Sequence, residues 1–174
     1  MTSVSLRQVV LLALCGLLAG CGLTQTVTDG TVNVTKSIFY KKIKVLHLDF
    51  EPRAAVNADD AQTPLATMIQ VWQLKDRQKV DAADYQTLLR AADSVLKEDI
   101  VASKSLLVMP GGSVTLNIPM VEEAKYVAVV GLFNRPEMKN NAWRLVLTRD
   151  DLDPDKPRTI ELGSGFLTLL PAKE

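Results

Sequence analysis

Short apolar runs separated by turn-forming residues are the feature that most constrains the fold of this chain. In residues 44–50 the pattern alternates, so Leu46, Leu48 and Phe50 point to one face of a strand. Comparable runs recur at residues 65–74, 100–109, 114–118, 125–133, 143–148, 159–162 and 166–170. Gly, Pro and polar residues punctuate them. This spacing predicts a mainly β protein with the architecture of an antiparallel β-sandwich.

One segment departs from the strand pattern and has the period of a helix. Its apolar residues fall at positions i, i+3, i+4 and i+7: Tyr85, Leu88, Leu89 and Ala92. Asp81 can cap this helix and Asp84 favours its first turn. We therefore expect a small helical insertion in the sandwich.

The first twenty residues have the composition of a signal peptide. Arg7 lies in a short polar start, and residues 9–18 are apolar throughout, too short a stretch to span a bilayer as a helix. The sequence Leu18-Ala19-Gly20-Cys21 follows, which is the lipobox order of a branched apolar residue, two small residues and cysteine. We predict cleavage before Cys21 and lipidation of its thiol. An ordinary secretory signal that happens to contain cysteine is the alternative.

The residues around the cleavage site also predict where the protein resides. Cys15 would be removed with the signal peptide and Cys21 acylated, so the mature chain would keep no free thiol and no disulfide. Gly22 replaces the Asp that typically retains a lipoprotein in the inner membrane, which favours the periplasmic face of the outer membrane. The predicted organisation is a signal peptide at 1–20, a lipidated N terminus and tether at 21–42, and a β-sandwich domain at 43–174.

Charge and motif composition argue against several classes of function. Twenty basic residues balance twenty acidic ones, so the net charge gives no electrostatic attraction to nucleic acid. The only histidine, His47, has no partner in the sequence pattern that would make a catalytic or metal site. Residues 151–155 imitate the start of a calcium loop, but Lys156 and Leu162 occupy the positions of the required Gly and Glu. We predict no enzyme activity, catalytic residue, metal, cofactor or small-molecule substrate.

Several short segments stand in the order typical of a known family. They are Asn57-Ala58-Asp59-Asp60, Pro64-Leu65, Gln70-Val71-Trp72-Gln73-Leu74-Lys75-Asp76, Ala83-Asp84-Tyr85-Gln86-Thr87-Leu88, Met109-Pro110-Gly111-Gly112, Ala124-Lys125-Tyr126-Val127-Ala128-Val129-Val130 and Trp143-Arg144. The order of these segments, together with the lipobox that precedes them, resembles the type VI secretion lipoprotein family TssJ (also called SciN or VasD). The likeness covers nearly the whole mature chain. One departure is Val80, where the family often has an aromatic residue.

The resemblance implies a fold, a location and a partner. Such proteins are transthyretin-like β-sandwiches with an added helical part, held at the inner leaflet of the outer membrane by lipid on the cysteine that corresponds to Cys21. They bind the periplasmic C-terminal domain of the inner-membrane protein TssM, and their role is structural. The alternative is a periplasmic ligand-binding or carrier lipoprotein, which would need a roomy apolar pocket. A hydrolase would need clustered titratable groups around His47.

The long connection after the first strand is the predicted partner surface. Residues 51–63 exceed the roughly two to five residues of a common hairpin loop, and long loops on a rigid sheet often carry binding residues. The polar residues that we expect to contact TssM are Glu51, Arg53, Asn57, Asp59 and Asp60. Residues 54–56 would form a small apolar centre that the core does not need. A solvated connection without a partner is the alternative, and the 134–141 loop, with Arg135 and Met138, is the next candidate.

Overall fold

The structure is a computed structural model and describes residues 42–172. Within this range the elements are β1 Val45–Pro52, β2 Thr67–Leu74, α1 Gln78–Ala82, α2 Tyr85–Val95, β3 Ile100–Val108, β4 Val114–Pro119, β5 Tyr126–Leu132, β6 Arg144–Thr148, a 3-10 turn Arg149–Asp151, β7 Arg158–Leu162 and β8 Leu167–Leu169. The predicted signal peptide (1–20), Cys21, Gly22 and the tether (21–42) up to residue 41 lie outside the described residues.

The strands of the described region form two four-stranded sheets. Sheet A has the order β4-β1-β7-β8 and sheet B the order β3-β2-β5-β6. This confirms the predicted mainly β sandwich with a small helical insertion. β1 pairs antiparallel with β4 but parallel with β7, so sheet A is mixed. The alternation of apolar and polar residues in β1 does not predict whether its neighbour is parallel. Side chains point alternately to the two faces of a strand in both kinds of sheet.

The core lies between the two sheets and uses the faces that the alternation predicts. Leu46, Leu48 and Phe50 of β1 are completely buried, as are Ile69 and Val71 of β2. Burying an aliphatic or phenyl side chain of this size contributes about 1.5–3 kcal/mol relative to leaving it exposed. The hydrophobic effect therefore selects which face of each strand points inward.

The helical insertion begins differently from the prediction. Two helices occur where one was expected, and the N-cap of α2 is Asp84, whose carboxylate accepts a hydrogen bond from the Thr87 N–H at 2.7 Å. This bond lowers the pKa of Asp84 below its ordinary value. Asp81 lies inside α1 and pairs with Arg77 at 2.5 Å. The expected Asp81 cap is wrong because the chain leaves helical geometry at Ala83, which the apolar period did not reveal.

The residue pair Trp143-Arg144 fastens the helical insertion to sheet B. The Arg144 guanidinium donates to the carbonyls of Val80, Asp81 and Ala83 at 2.5, 2.6 and 2.7 Å. These carbonyls lie at the end of α1, where the last C=O groups lack partners within the helix. Trp143 is completely buried and meets the Tyr85 ring edge-on, with centroids 5.1 Å apart. Burial lowers the pKa of Arg144.

A second arginine organises the end of the sandwich where the chain enters the domain. We call this end, formed by Ile43, residues 119–124 and Arg149, the base. Arg149 is 8% exposed and donates to the carbonyls of Ala124 at 2.8 Å, Ile43 at 3.3 Å, Val121 at 2.7 Å and Glu122 at 3.0 Å. A single buried side chain therefore ties the start of the domain to the connection between β4 and β5.

Candidate partner-binding surface

The predicted partner loop crosses from sheet A to sheet B. Its first residues, Glu51 and Pro52, belong to β1, and the connection proper is residues 53–66. Glu51 stands beside Glu161 in the parallel register of β1 and β7. The loop is therefore longer than predicted at its C-terminal end and begins on a central strand of sheet A, which gives it a rigid origin.

Arg53 packs against the turn between β7 and β8. Its guanidinium forms an ion pair with Glu161 at 2.6 Å and lies 5.4 Å from the centroid of the Phe166 ring. The hydrogen bond to Glu161 raises the pKa of Arg53. Its side chain remains 57% exposed. Arg53 is thus held in one orientation and still available to a partner, although exposed ion pairs contribute little to stability.

Two residues in the middle of the loop are buried, contrary to the expectation that the core needs nothing from it. Val56 is completely buried and belongs to the hydrophobic core. Asn57 is 4% exposed, and its amide donates to the Ala66 carbonyl at 3.1 Å and accepts from the Asn134 N–H at 2.6 Å. Its φ of 47° lies in the left-handed region that asparagine tolerates better than most residues. Asn57 therefore shapes the loop from within.

Asp59, which is half-buried, and the exposed Asp60 form the tip of the loop. The Asp59 carboxylate accepts a hydrogen bond from the Thr63 N–H at 2.8 Å, and the Asp59 N–H donates to the Thr63 carbonyl at 3.0 Å. Asp60 forms an ion pair with Arg135 and remains 86% exposed, while Arg135 is 58% exposed. Asp59 therefore closes the turn, and Asp60 presents its charge to solvent beside a charge of opposite sign.

The structure joins the two candidate loops that the sequence treated as alternatives. Asn57 and Asp60 of the first loop contact Asn134 and Arg135 of the second, residues 133–143. Met138 in that second loop is 53% exposed. Acidic, basic and apolar groups therefore share one surface.

The turn between β7 and β8 is a third part of this surface, and sequence reasoning missed its role. The Glu137 N–H donates to the Gly165 carbonyl at 2.8 Å. A Cβ at Gly165 would lie 2.1 Å from the Arg135 carbonyl oxygen, so only glycine allows this approach. The Gly163-Ser164-Gly165 sequence predicts a turn, but it does not predict that this turn contacts the second loop. We call residues 53–66, 133–143 and 163–166 together the loop end.

A groove lies elsewhere, between α2 and the outer face of sheet B. Its volume is about 490 Å³, within the range of ligand pockets. Polar side chains such as Gln70, Ser103 and Ser105 line it beside Trp72 and Leu132. It is therefore not the roomy apolar pocket that the carrier alternative needs.

The remaining candidates for chemistry lie apart from one another. His47 is on the outer face of sheet A, and its Nδ1 lies 2.6 Å from the Asn117 side-chain oxygen. Asp151, in the false calcium loop, accepts hydrogen bonds from the Thr148 N–H and hydroxyl. In residues 42–172 no group of three or more His, Cys, Asp or Glu side chains is placed to hold a metal ion. Over the same residues, no helix has the length and hydropathy to cross a membrane.

Solved structures first define the class of fold. The lipoprotein TssJ1 of the Pseudomonas aeruginosa type VI secretion system is 20% identical, with a TM-score of 0.62 over 76% of this chain and 100% of that chain. Serratia marcescens Lip, a membrane-bound component of the type VI secretion system, is 22% identical, with a TM-score of 0.63 over 74% of this chain and 98% of that chain. At these identities the likeness shows that the fold is the sandwich of these lipoproteins.

Two other solved chains are more similar in sequence. One is in the structure titled "T6SS protein TssM C-terminal domain (869-1107) from EAEC", with 44% identity and a TM-score of 0.69. The other is in the structure titled "Type VI membrane complex", with 45% identity and a TM-score of 0.72. Each covers 75% of this chain and 100% of the matched chain. Comparison with curated proteins gave no match.

The family follows from the sequence itself. Residues 44–165 match the family described as type VI secretion lipoprotein, with VasD, EvfM and TssJ as members. The match spans more than half of the chain, and this protein belongs to that family. It is therefore a membrane-associated lipoprotein component of the type VI secretion system, and the predicted resemblance is confirmed.

Proposed function

We propose that the protein is the outer-membrane lipoprotein subunit of the type VI secretion membrane complex and docks the periplasmic C-terminal domain of TssM. In this proposal residues 1–20 are the signal peptide, 21–42 the lipidated N terminus and tether, and 43–174 the docking domain. Lipid holds the protein on the periplasmic face of the outer membrane while the loop end binds the partner from the inner membrane.

The observation that carries the docking proposal is the matched chain in the structure titled for the TssM C-terminal domain. Because 75% of this 174-residue chain covers all of it, that matched chain has about 130 residues. The segment 869–1107 is more than 200 residues long. The 44% identical chain is thus shorter than the TssM segment, which supports reading it as a companion of TssM and not as TssM.

The anchor is proposed from sequence chemistry. The Cys21 thiol is the acylation point, and each buried methylene of an acyl chain contributes about 0.8 kcal/mol, so several chains would make anchoring permanent. Gly22 would release the protein to the outer membrane. Cys21→Ser should abolish labelling with palmitate and remove the protein from outer-membrane fractions, and Gly22→Asp should shift it to the inner membrane. A labelled Cys21→Ser protein would contradict the anchor.

The loop end is the proposed TssM surface, with its residues in two roles. The exposed Arg53 and Asp60 would contact the partner, together with two half-buried carboxylates, Asp59 in the loop and Glu51 on the adjoining end of β1. The buried Asn57 would position them. Mixed charge around an apolar side chain such as Met138 is the pattern of a polar rim on a modest protein interface. This binding role, without catalysis, also fits His47, which lies on the outer face of sheet A beside Asn117.

Charge reversal at the loop end tests the docking proposal. Binding of the full mature chain, kept soluble by Cys21→Ser, to the TssM periplasmic domain would be measured by calorimetry. We expect Asp60→Lys or Arg135→Glu to weaken binding roughly tenfold and to alter its salt dependence, because rim charges act through complementarity.

A matched control keeps this test specific. Glu98 is 83% exposed and paired with Lys79 at 2.7 Å, much as Asp60 is paired with Arg135, but it lies after α2. Glu98→Lys should therefore leave binding unchanged. Absence of binding by the parent chain would refute the proposed function. Equal effects of Asp60→Lys and Glu98→Lys would place the surface outside the loop end.

A further inference from the structure

Two consecutive residues at the start of the second loop are held from opposite directions. The Phe133 carbonyl accepts a hydrogen bond from the Tyr85 hydroxyl at 2.7 Å. The N–H of the next residue, Asn134, donates to the Asn57 side-chain oxygen at 2.6 Å. Tyr85 belongs to α2 and Asn57 to the first loop, so this pair of residues is the point where the helical insertion meets the loop end.

The two side chains that form these hydrogen bonds are buried, and each makes a further contact. Tyr85 and Asn57 are each 4% exposed. The Tyr85 ring packs edge-on against Trp143, and the Asn57 amide also bonds the Ala66 carbonyl. Neither side chain can reach a partner, and neither can rotate without leaving a buried polar group without its hydrogen bond.

The helical insertion also holds the far end of the same loop. Trp143, its last residue, packs on Tyr85, and Arg144 bonds the carbonyls at the end of α1. The loop is therefore attached to the insertion at both ends, while its middle, with Arg135 and Met138, is exposed. The position of these exposed residues therefore depends on the helical insertion, which is not part of the loop.

We propose that Tyr85 is a positioning residue: the helical insertion sets the second loop against the first and thereby sets the affinity for the partner. This inference rests on the proposed function for the identity of the partner. It assigns the insertion a task in binding although the loop end, as defined by its residues, includes neither helix. Asn57 is the second positioning residue, acting from the opposite side on the neighbouring peptide group.

Removing one hydroxyl tests the role of Tyr85. Tyr85→Phe keeps the ring against Trp143 and deletes the bond to Phe133. In the mature chain carrying Cys21→Ser, we expect faster exchange of the Asn134 amide hydrogen, measured by NMR. We also expect about fivefold weaker binding to the TssM periplasmic domain, the scale of one hydrogen bond. Tyr126→Phe is the matched control, because the ring of Tyr126 contacts Arg77 at 5.7 Å, away from the loops.

A pair of variants tests Asn57 in the same two measurements. Asn57→Gly tolerates the positive φ but removes the acceptor for the Asn134 N–H, so exchange should accelerate and affinity should fall. Asn57→Asp keeps that acceptor and tolerates the same backbone region, so it should preserve protection of the Asn134 amide better than Asn57→Gly. Equal protection in the two variants would contradict a role for this bond.

The two readouts separate this inference from the proposed function. Unchanged Asn134 exchange in Tyr85→Phe would overturn the inference whatever the binding result. Faster exchange with unchanged affinity would also overturn it, because the position of the loop would then not control binding. If the parent chain fails to bind TssM, the proposed function falls, and amide exchange alone decides whether Tyr85 holds the loop.

Discussion

The base and the loop end use arginine in opposite ways. At the base, Arg149 is buried, and within residues 42–172 its side chain donates to backbone carbonyls, among them those of Ile43 and Ala124. At the loop end, Arg135 is mostly exposed and its ion-pair partner, Asp60, is more exposed still. The same side chain is therefore structural where it is enclosed by acceptors. It is available for recognition where water can replace its partner.

The largest effect expected from this comparison is at Arg149. Arg149→Leu leaves buried carbonyls at the base without a donor, and we expect the free energy of unfolding to fall by about 3 kcal/mol. Arg135→Leu at the loop end should change it by less than about 1 kcal/mol, since exposed ion pairs contribute little. Urea denaturation of the two variants beside the parent measures both values. Similar losses in the two variants would remove the distinction between the ends.

A smaller effect should show that the loop end nevertheless contains part of the core. Val56 is completely buried, so Val56→Ala should lower the free energy of unfolding by about 2 kcal/mol through lost burial and a residual cavity. The neighbouring exposed Ala55 is the control, and Ala55→Ser should have almost no effect on stability. If Val56→Ala proved neutral, the core would need nothing from the first loop, as the sequence alone predicted.

Lowering the pH should give the smallest effect of the three. Its effect on amide protection should appear nearer the loop end than the base. The Asp84 cap has a pKa below its ordinary value, so its contribution is present above the unfolded-state pKa and is lost as the pH falls through the folded-state pKa. Protection of the Thr87 amide, measured as its exchange rate relative to the intrinsic rate at the same pH, should therefore decrease below about pH 4, at the start of the helix that carries Tyr85. The bonds from Arg149 at the base involve backbone carbonyls, which do not titrate.

Asp84→Asn is the control for the acid experiment. Asparagine is also a good N-cap but carries no titratable carboxyl, so protection of the Thr87 amide should depend less on acid in this variant. The same loss of protection in Asp84→Asn and in the parent would show that another group causes it.

The local features of the protein could be predicted from the amino-acid sequence. Alternation placed Leu46, Leu48 and Phe50 in the core, and the helical period located α2, because both patterns depend on neighbours within a few residues. The ordered segments ending in Trp143-Arg144 predicted the family, which the match over residues 44–165 confirmed. The predicted loop also proved to adjoin the second candidate loop.

Which residues of the loop end face the solvent depends instead on long-range contacts in the folded domain. Asn57 was predicted to be a contact residue, but it is buried because Asn134, 77 positions later in the chain, donates to its side chain. Gly165 has its role because the Arg135 carbonyl approaches it, and the parallel pairing of β1 with β7 brings Glu161 within reach of Arg53. Each of these depends on groups distant in sequence meeting in space. Local periodicity carries no information about such meetings, because it reports which face a residue occupies and not what lies across from it.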